Sequence, residues 1–323
     1  MARLLTHEQV KSLVSMSDAI ECMERVFREE GDGRTVLPPR LNMKTGRGWL
    51  RVGPAVLEAS GWMGFKAMNL VPGAGLRYQV HLYEIASGAL LAIMDAQHLT
   101  TLRTGATSAV ATRRLARPGA AVVALLGSGV EARAQLEAMH ADGKVKTARI
   151  FSPTVANRER LAADFRDRFG MQAVAVGSAE EAVADADLIL AAVKSTEPVL
   201  LGRWLRPGSH VNSVGTARRD QREIDADTFE RSARVIVDTK EGVFGEAGDA
   251  FAARERIRMD DVHELAKLVA EEVPGRCSDA EITLFKSVGT GLQDIAIAAL
   301  IYQRAVENSI GTDLGEFPYL KRN

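Results

Sequence analysis

The stretch Val122-Val123-Ala124-Leu125-Leu126-Gly127-Ser128-Gly129-Val130-Glu131-Ala132 constrains this chain more than any other. A short apolar run ends in Gly-x-Gly-x-x-Ala, and the helix-like stretch Arg133 to His140 follows directly. That is the strand, tight turn and helix start needed to hold a dinucleotide pyrophosphate. Gly127 permits the turn, and Gly129 lets the backbone approach the phosphates. Ala132 is small enough for the helix to pack on the strand. Ser128 and Val130 complete the loop, and the helix start offers N–H groups and partial positive charge to an anion. Taken alone, the six-residue pattern also fits an ordinary tight turn.

The context strengthens it. From Ala120 onward, strands and helices alternate, as in a parallel sheet. The expected strands are Ala121–Leu126, Thr147–Phe151, Ala173–Val176, Asp187–Val193, His210–Val214 and Arg234–Val237. A helix through Arg158, Leu161 and Phe165 follows the second strand, and a short one, Ala179–Ala184, precedes the fourth. Such a series predicts a doubly wound α/β nucleotide domain of the Rossmann type. The preceding region reads differently. Two helices are expected between Thr6 and Glu30, the second started by Ser17-Asp18 with a stripe of Ile20, Met23, Val26 and Phe27. Strands follow at Arg47–Pro54, Gly61–Asn69, Gln79–Glu84 and Leu90–Met94, the last two joined by an Ala86-Ser87-Gly88 hairpin loop. Asp95–Leu115 reads as a helix interrupted by Gly105, and Val262–Glu272 and Ile282–Glu307 as two more. Arg117-Pro118-Gly119 marks a break. The expected organisation is an α+β domain of residues 1–117 with 295–323, and a nucleotide domain of residues 118–294.

Composition removes several classes of function. The formal net charge of −1 gives no electrostatic reason to bind nucleic acid or an anionic membrane. No stretch approaches the roughly 18 apolar residues of a membrane helix, and the N-terminus lacks a signal-like apolar core. Two distant cysteines, Cys22 and Cys277, read as free thiols of a cytoplasmic protein. The six histidines form no close pair, so no metal site is expected. No nucleophile elbow or Walker loop is present, which favours chemistry carried by a cofactor.

Cofactor subtype should show after the second strand, where a carboxylate would bind a ribose 2′-hydroxyl. The stretch is Phe151-Ser152-Pro153-Thr154-Val155-Ala156-Asn157-Arg158, without an acid. Ser152, Thr154 and Arg158 suit a 2′-phosphate, so NADP is slightly favoured over NAD. The other reading makes Ser152-Pro153-Thr154 a helix cap and Arg158 a solvated helix residue. Val193, Val214 and Gly215, at the ends of the fourth and fifth strands, are the remaining cofactor candidates. In the first domain, Arg40, Lys66 and Arg103 stand out. Lys66 interrupts an apolar strand, and Arg103 lies in a helix of small residues that another surface can approach. Such cations need partners. A bound carboxylate is one; the other reading is an internal salt bridge, or simply an exposed strand lysine.

Several of these motifs together resemble the ornithine cyclodeaminase/μ-crystallin family over nearly the whole chain. They are Gly64-Phe65-Lys66-Ala67-Met68-Asn69, Leu102-Arg103-Thr104-Gly105-Ala106-Thr107-Ser108-Ala109, the Gly127 turn and His210-Val211-Asn212-Ser213-Val214-Gly215. Near the end come Glu246-Ala247-Gly248-Asp249 and Ile282-Thr283-Leu284-Phe285-Lys286-Ser287-Val288-Gly289, followed by Gln293-Asp294. The resemblance implies a homodimer whose subunits each have a nucleotide domain and a substrate and dimerisation domain. It implies that Arg40, Lys66 and Arg103 bind the carboxylate of an α-imino, α-keto or α-amino acid, and that Asp294 lies near the cofactor or the dinucleotide cleft; the other reading makes Asp294 a helix salt-bridge partner. Cyclodeaminases of the family carry an aspartate at the position of Ala217, which cannot exchange a proton. The chain therefore looks like the reductase branch, an NAD(P)-dependent oxidoreductase acting on C=N or CH–NH bonds of a small imino or amino acid. Lys66 and Arg103 are its expected catalytic residues, and a lysine among cations in an apolar site should have a depressed pKa. Met43, Trp49, Arg51 and Trp62 are candidates for the substrate side-chain pocket. A nucleotide-dependent small-ligand binder, as among μ-crystallin relatives, is the alternative; a cyclodeaminase fits less well, and the physiological direction stays open.

Overall fold

A computed structural model describes residues 2–143, 145–315 and 317. The chain divides into one compact unit of Met1–Arg103 with Thr290–Asn323 and another of Thr104–Gly289. Among the described residues, no helix is long and apolar enough to cross a membrane, and Cys22 and Cys277 are free thiols.

The first unit begins with β1 (Arg3–Leu5), α1 (His7–Leu13) and α2 (Met16–Gly31). The strands β2 (Thr35–Val36), β3 (Leu41–Thr45), β4 (Gly48–Leu57), β5 (Trp62–Val71), β6 (Gly75–Glu84) and β7 (Leu90–Asp95) follow, then α3 (Gln97–Leu115). The chain later returns with α11 (Gly291–Glu307) and β16 (Thr312–Asp313). The sheet runs β16-β1-β7-β6-β5-β4-β2, with β3 also on β4, and among the described residues only β1 and β7 pair in parallel. Helix α2 starts at a Ser15–Asp18 capping box, two residues before the expected start. Its Ile20, Met23, Val26 and Phe27 stripe is buried as its spacing demands. Asp18 also pairs with Arg304 of α11 at 2.6 Å, which holds its carboxyl well below the usual carboxylate range.

The second unit holds β8 (Val122–Leu126), α4 (Val130–Ala141), β9 (Thr147–Phe151), α5 (Val155–Phe169), β10 (Gln172–Ala175), α6 (Ala179–Val183) and β11 (Leu188–Ala191). It continues through β12 (His210–Ser213), α7 (Ala226–Glu230), β13 (Arg234–Val237), α8 (Lys240–Glu246), α9 (Gly248–Ala253), β14 (Val262–Glu264), α10 (Leu265–Val269) and β15 (Thr283–Lys286). All its strand pairs are parallel, in the order β10-β9-β8-β11-β12-β15-β13-β14. The order reverses between β8 and β11, which is where open α/β sheets bind ligands.

Four expectations need correction. Ile282–Glu307 is not one helix: Thr283–Lys286 is a wholly buried central strand, and Gly289 turns the chain at φ 76° before α11 begins. Val262–Glu272 opens as a strand, because Val262 pairs with Val235 at the sheet edge, and becomes helical only from Leu265. Helix α3 runs through Gly105 without interruption. The unit boundary falls inside α3, between Arg103 and Thr104, rather than at residue 117, and between Gly289 and Thr290 rather than at 294. The reason is hydrogen bonding: Gln135 donates to the Thr104 carbonyl, Asn212 to the Thr112 hydroxyl and Arg276 to the Leu115 carbonyl.

Candidate active site

Strand alternation sets the site in the first unit. On β5, Gly64, Lys66 and Met68 point to one face. Lys66 pairs with Gly53 of β4 and Val80 of β6. A Cβ added to Gly64 would lie 2.9 Å from Ile295 Cδ1, so α11 lies directly against this face. The first turn of α11 therefore brings Gln293 and Asp294 to Lys66. Arg103 reaches the same carboxylate from α3.

The geometry is a bridged pair. Asp294 Oδ2 takes Lys66 Nζ at 2.8 Å, and Oδ1 takes Arg103 Nε at 3.1 Å. Arg103 Nη1 also donates to Gln293 Oε1 at 3.0 Å, and Lys66 Nζ to Thr100 Oγ1 at 3.3 Å. The Lys66 ammonium stands 5.9 Å from the Tyr78 ring centroid. Arg40 lies over Gly53, with its Cγ 3.5 Å from where a Cβ there would be. Lys66, Arg103 and Asp294 are each over nine-tenths buried. Burial pushes the Lys66 pKa down from 10.5 to about 8; the Asp294 carboxylate opposes that, and the Arg103 and Arg40 charges add to it. Two buried cations thus share one carboxylate, which leaves excess positive charge in a poorly solvated place. A small carboxylate anion fits that excess.

The second unit carries the cradle expected around Gly127. Its φ is 121°, and a Cβ there would sit 2.7 Å from the Ala192 carbonyl oxygen, so only glycine fits. Gly129 is the N-cap of α4, and a Cβ there would meet nothing within 4 Å. The helix start is open to a ligand, with the Val130 side chain 59% exposed beside it. These features fit a dinucleotide pyrophosphate. At the end of β9, Ser152 is buried, Thr154 stands at the N-cap position of α5 without a side-chain capping bond, and Arg158 Nη1 donates to the Ser152 carbonyl at 2.8 Å. Arg158 is thereby folded back toward the strand end, 5.7 Å from the Phe151 ring centroid.

The other candidates separate. Val193 and Gly215 do sit at strand ends, but their N–H groups already donate to Glu223, at 3.0 and 2.8 Å, and the Val214 N–H donates to the Ala191 carbonyl. Their backbone amides are therefore used within the fold. Asp294 belongs with Lys66 and Arg103 in the first unit. Arg51 and Trp49 share the Lys66 face, where Arg51 Nε donates to Asn42 Oδ1 at 2.6 Å. Met43 pairs with Leu50 and so points to the opposite face. Trp62 shares the Lys66 face but lies four residues away, beside a cavity of about 280 Å³ that α2 residues Cys22 and Glu29 also line. Thr100 and Gln293 were not singled out as site residues, although Thr100 precedes Arg103 by three residues on a helix and so shares its face.

One further cluster went unanticipated. Lys286 Nζ, fully buried, meets Asp249 Oδ2 at 2.9 Å, Glu223 Oε1 at 3.3 Å, and the hydroxyls of Ser213 and Thr216. Burial pushes the Glu223 carboxyl up, while Asp249 and Glu223 together raise the Lys286 ammonium against its own burial.

The family model for ornithine cyclodeaminase/mu-crystallin proteins matches residues 2–309. The alanine dehydrogenase of Archaeoglobus fulgidus is 32% identical over 97% of this chain and 98% of its own. Ketimine reductase mu-crystallin of Mus musculus is 33% identical over 85% of this chain and 87% of its own. The structure of Thermococcus litoralis Δ1-pyrroline-2-carboxylate reductase with NADH and L-proline superposes with a TM-score of 0.92 at 35% identity, covering 97% of this chain and all of that one.

Proposed function

The chain belongs to the ornithine cyclodeaminase/mu-crystallin family, and from that premise we propose that it is an NAD(P)H-dependent oxidoreductase reducing small α-imino acids to amino acids. The observation that carries this reading is the buried sharing of Asp294 by Lys66 and Arg103, with the Arg40 charge close enough to act on Lys66. The relatives named alanine dehydrogenase, ketimine reductase and pyrroline-2-carboxylate reductase support it, since each name concerns a C–N bond next to a carboxylate.

Arg40 and Arg103 hold the substrate carboxylate, and Asp294 fixes the Arg103 and Lys66 side chains by taking one on each oxygen. That fixed spacing orients the C=N bond, and positioning of this kind lowers a barrier by several kcal/mol, up to about 7–11 in favourable cases. Lys66, an ammonium at neutral pH, lends its proton to the imine nitrogen and so makes the adjacent carbon more electrophilic. NAD(P)H, when bound on the Gly127–Val130 cradle, supplies the hydride for that carbon. The absence of an acid after β9, with Ser152, Thr154 and Arg158 there instead, supports NADP slightly over NAD. Ala217, with no proton to exchange, fits a single reductive step better than a cyclodeamination.

The test is NADPH and NADH oxidation against Δ1-pyrroline-2-carboxylate, Δ1-piperideine-2-carboxylate, and pyruvate, glyoxylate or oxaloacetate with ammonia or methylamine. Turnover of a cyclic imine assigns a ketimine reductase. Turnover of only a keto acid plus amine assigns an open-chain imino acid reductase. Cofactor binding with no turnover across the panel overturns the reading in favour of a small-ligand binder.

A further inference from the structure

Two buried polar groups in and beside the first turn of α11 lack a hydrogen-bond partner among the described residues: the Thr290 hydroxyl and the Gln293 side-chain nitrogen. Thr290 is 5% exposed and Gln293 is fully buried. Thr290 is the N-cap, yet its hydroxyl makes no capping bond, although capping is what such a residue normally does there. The Gln293 amide is oriented by chemistry. A guanidinium only donates, so the atom facing Arg103 Nη1 must be Oε1, and Nε2 must be the donor left over. Buried donors are rarely abandoned, because the desolvation they suffer is recovered only when an acceptor arrives.

The same turn holds Asp294, and through it both Lys66 and Arg103. Two of the three Arg103 nitrogens are engaged, Nε by Asp294 and Nη1 by Gln293. A ligand gripped by Arg103 therefore lies next to Gln293. The amino end of α11 adds partial positive charge. We propose that Gln293 Nε2 and Thr290 Oγ1 are direct ligands of the substrate carboxylate, which bridges Arg103 and the first turn of α11. This rests on the imino acid reading above and extends its binding site to the neutral donors of the helix start. Arg103 and Arg40 supply charge, while Gln293 and Thr290 supply directional donors that complete the acceptor capacity of two carboxylate oxygens.

Binding tests this without depending on turnover. Protein loaded with NADH is titrated with L-alanine, L-proline and pyruvate, following the fluorescence of bound NADH and the thermal unfolding midpoint. Gln293→Leu is expected to weaken these acids about tenfold or more, the loss of a hydrogen bond to a charged group, with NADH affinity within twofold of wild type. Gln293→Glu should weaken them further, because it sets a carboxylate against a carboxylate. Thr290→Val should weaken them severalfold; it leaves the Arg103 contacts intact and carries the test if Gln293→Leu fails to fold. Unchanged acid affinity in both Gln293→Leu and Thr290→Val overturns the proposal. So does a loss confined to NADH, which would turn these donors toward the cofactor. Acid binding that depends on Gln293, in a protein that turns over no imino acid, would sustain the carboxylate site and overturn only the reductase reading. A wild-type protein that binds NADH but none of the acids overturns both.

Discussion

At the scale of single residues, the site depends on how one carboxylate is shared. Asp294 holds Lys66 and Arg103 on separate oxygens, so each cation stays aligned before substrate arrives. Arg103→Leu should lower kcat/KM at least about tenfold, the cost of a lost charge-assisted grip, with NAD(P)H affinity intact in a fluorescence titration. Undiminished turnover of several imino acids would refute the carboxylate assignment. Lys66 gives a second, independent signature. Its pKa of about 8 means that the ammonium is lost as pH rises through 8. Reduction should therefore fall above that pH, and amino acid oxidation should rise. Lys66→Met should remove this limb and cost about 10²–10⁴-fold in rate. A rate profile for the wild type that stays flat to pH 10 would exclude Lys66 as the proton donor. The linked stability has the opposite habit to an ordinary ion pair. Because the folded pKa lies below the unfolded one of 10.5, this group's contribution is full above 10.5 and lost as pH falls through 8.

At the scale of elements, turns were more legible than partners. The Gly127 turn could be read directly, because its residue types answer a local backbone demand. Two glycines in it make different demands, and substitution separates them. Gly127→Ala should destabilise the protein by about 1–3 kcal/mol, since φ 121° and the Ala192 carbonyl both oppose a Cβ. Gly129→Ala meets nothing in the folded chain and should change stability by no more than about 0.5 kcal/mol. It should nonetheless weaken NAD(P)H, because the added methyl occupies the phosphate approach; unchanged affinity would place the pyrophosphate elsewhere. The apolar run at Ile282–Phe285 was misread because a short buried strand and a buried helix look alike by periodicity. Lys286 stayed hidden for a different reason. Its acids, Glu223 and Asp249, lie 63 and 37 residues away in sequence, and only the order of β12, β13 and β15 brings them together. Lys286→Met should cost about 3–5 kcal/mol in a denaturant titration, since it leaves buried carboxylates uncompensated. The deficit should shrink as pH falls, because the Glu223 carboxyl, already pushed up by burial, then protonates. A deficit that grows on acidification would contradict the charge account.

For the whole molecule, the telling surface is the sheet face of the first unit opposite α11. Alternation that sends Lys66 toward the helix sends Met63 and Phe65 the other way. Phe65 stacks on His81 with ring centroids 4.7 Å apart, and Leu41, Met43 and Leu50 on the adjoining strands are exposed. A sheet face this apolar normally packs against another layer. A second copy of the chain is the partner that the family resemblance implies, and twofold pairing would let the same patch cover itself. Sedimentation should therefore give twice the mass of one chain. Phe65→Asp, which places a charge in the middle of the face, should shift the protein toward the monomer at micromolar concentration. Lys66 stands next to Phe65 in sequence but on the other side of the sheet. If the site is built within one unit, the Phe65→Asp monomer should still bind L-proline or L-alanine. If acid binding disappears with the dimer while the fold and NADH binding persist, the carboxylate site needs the second subunit, and a single copy of Lys66, Arg103 and Asp294 is not sufficient.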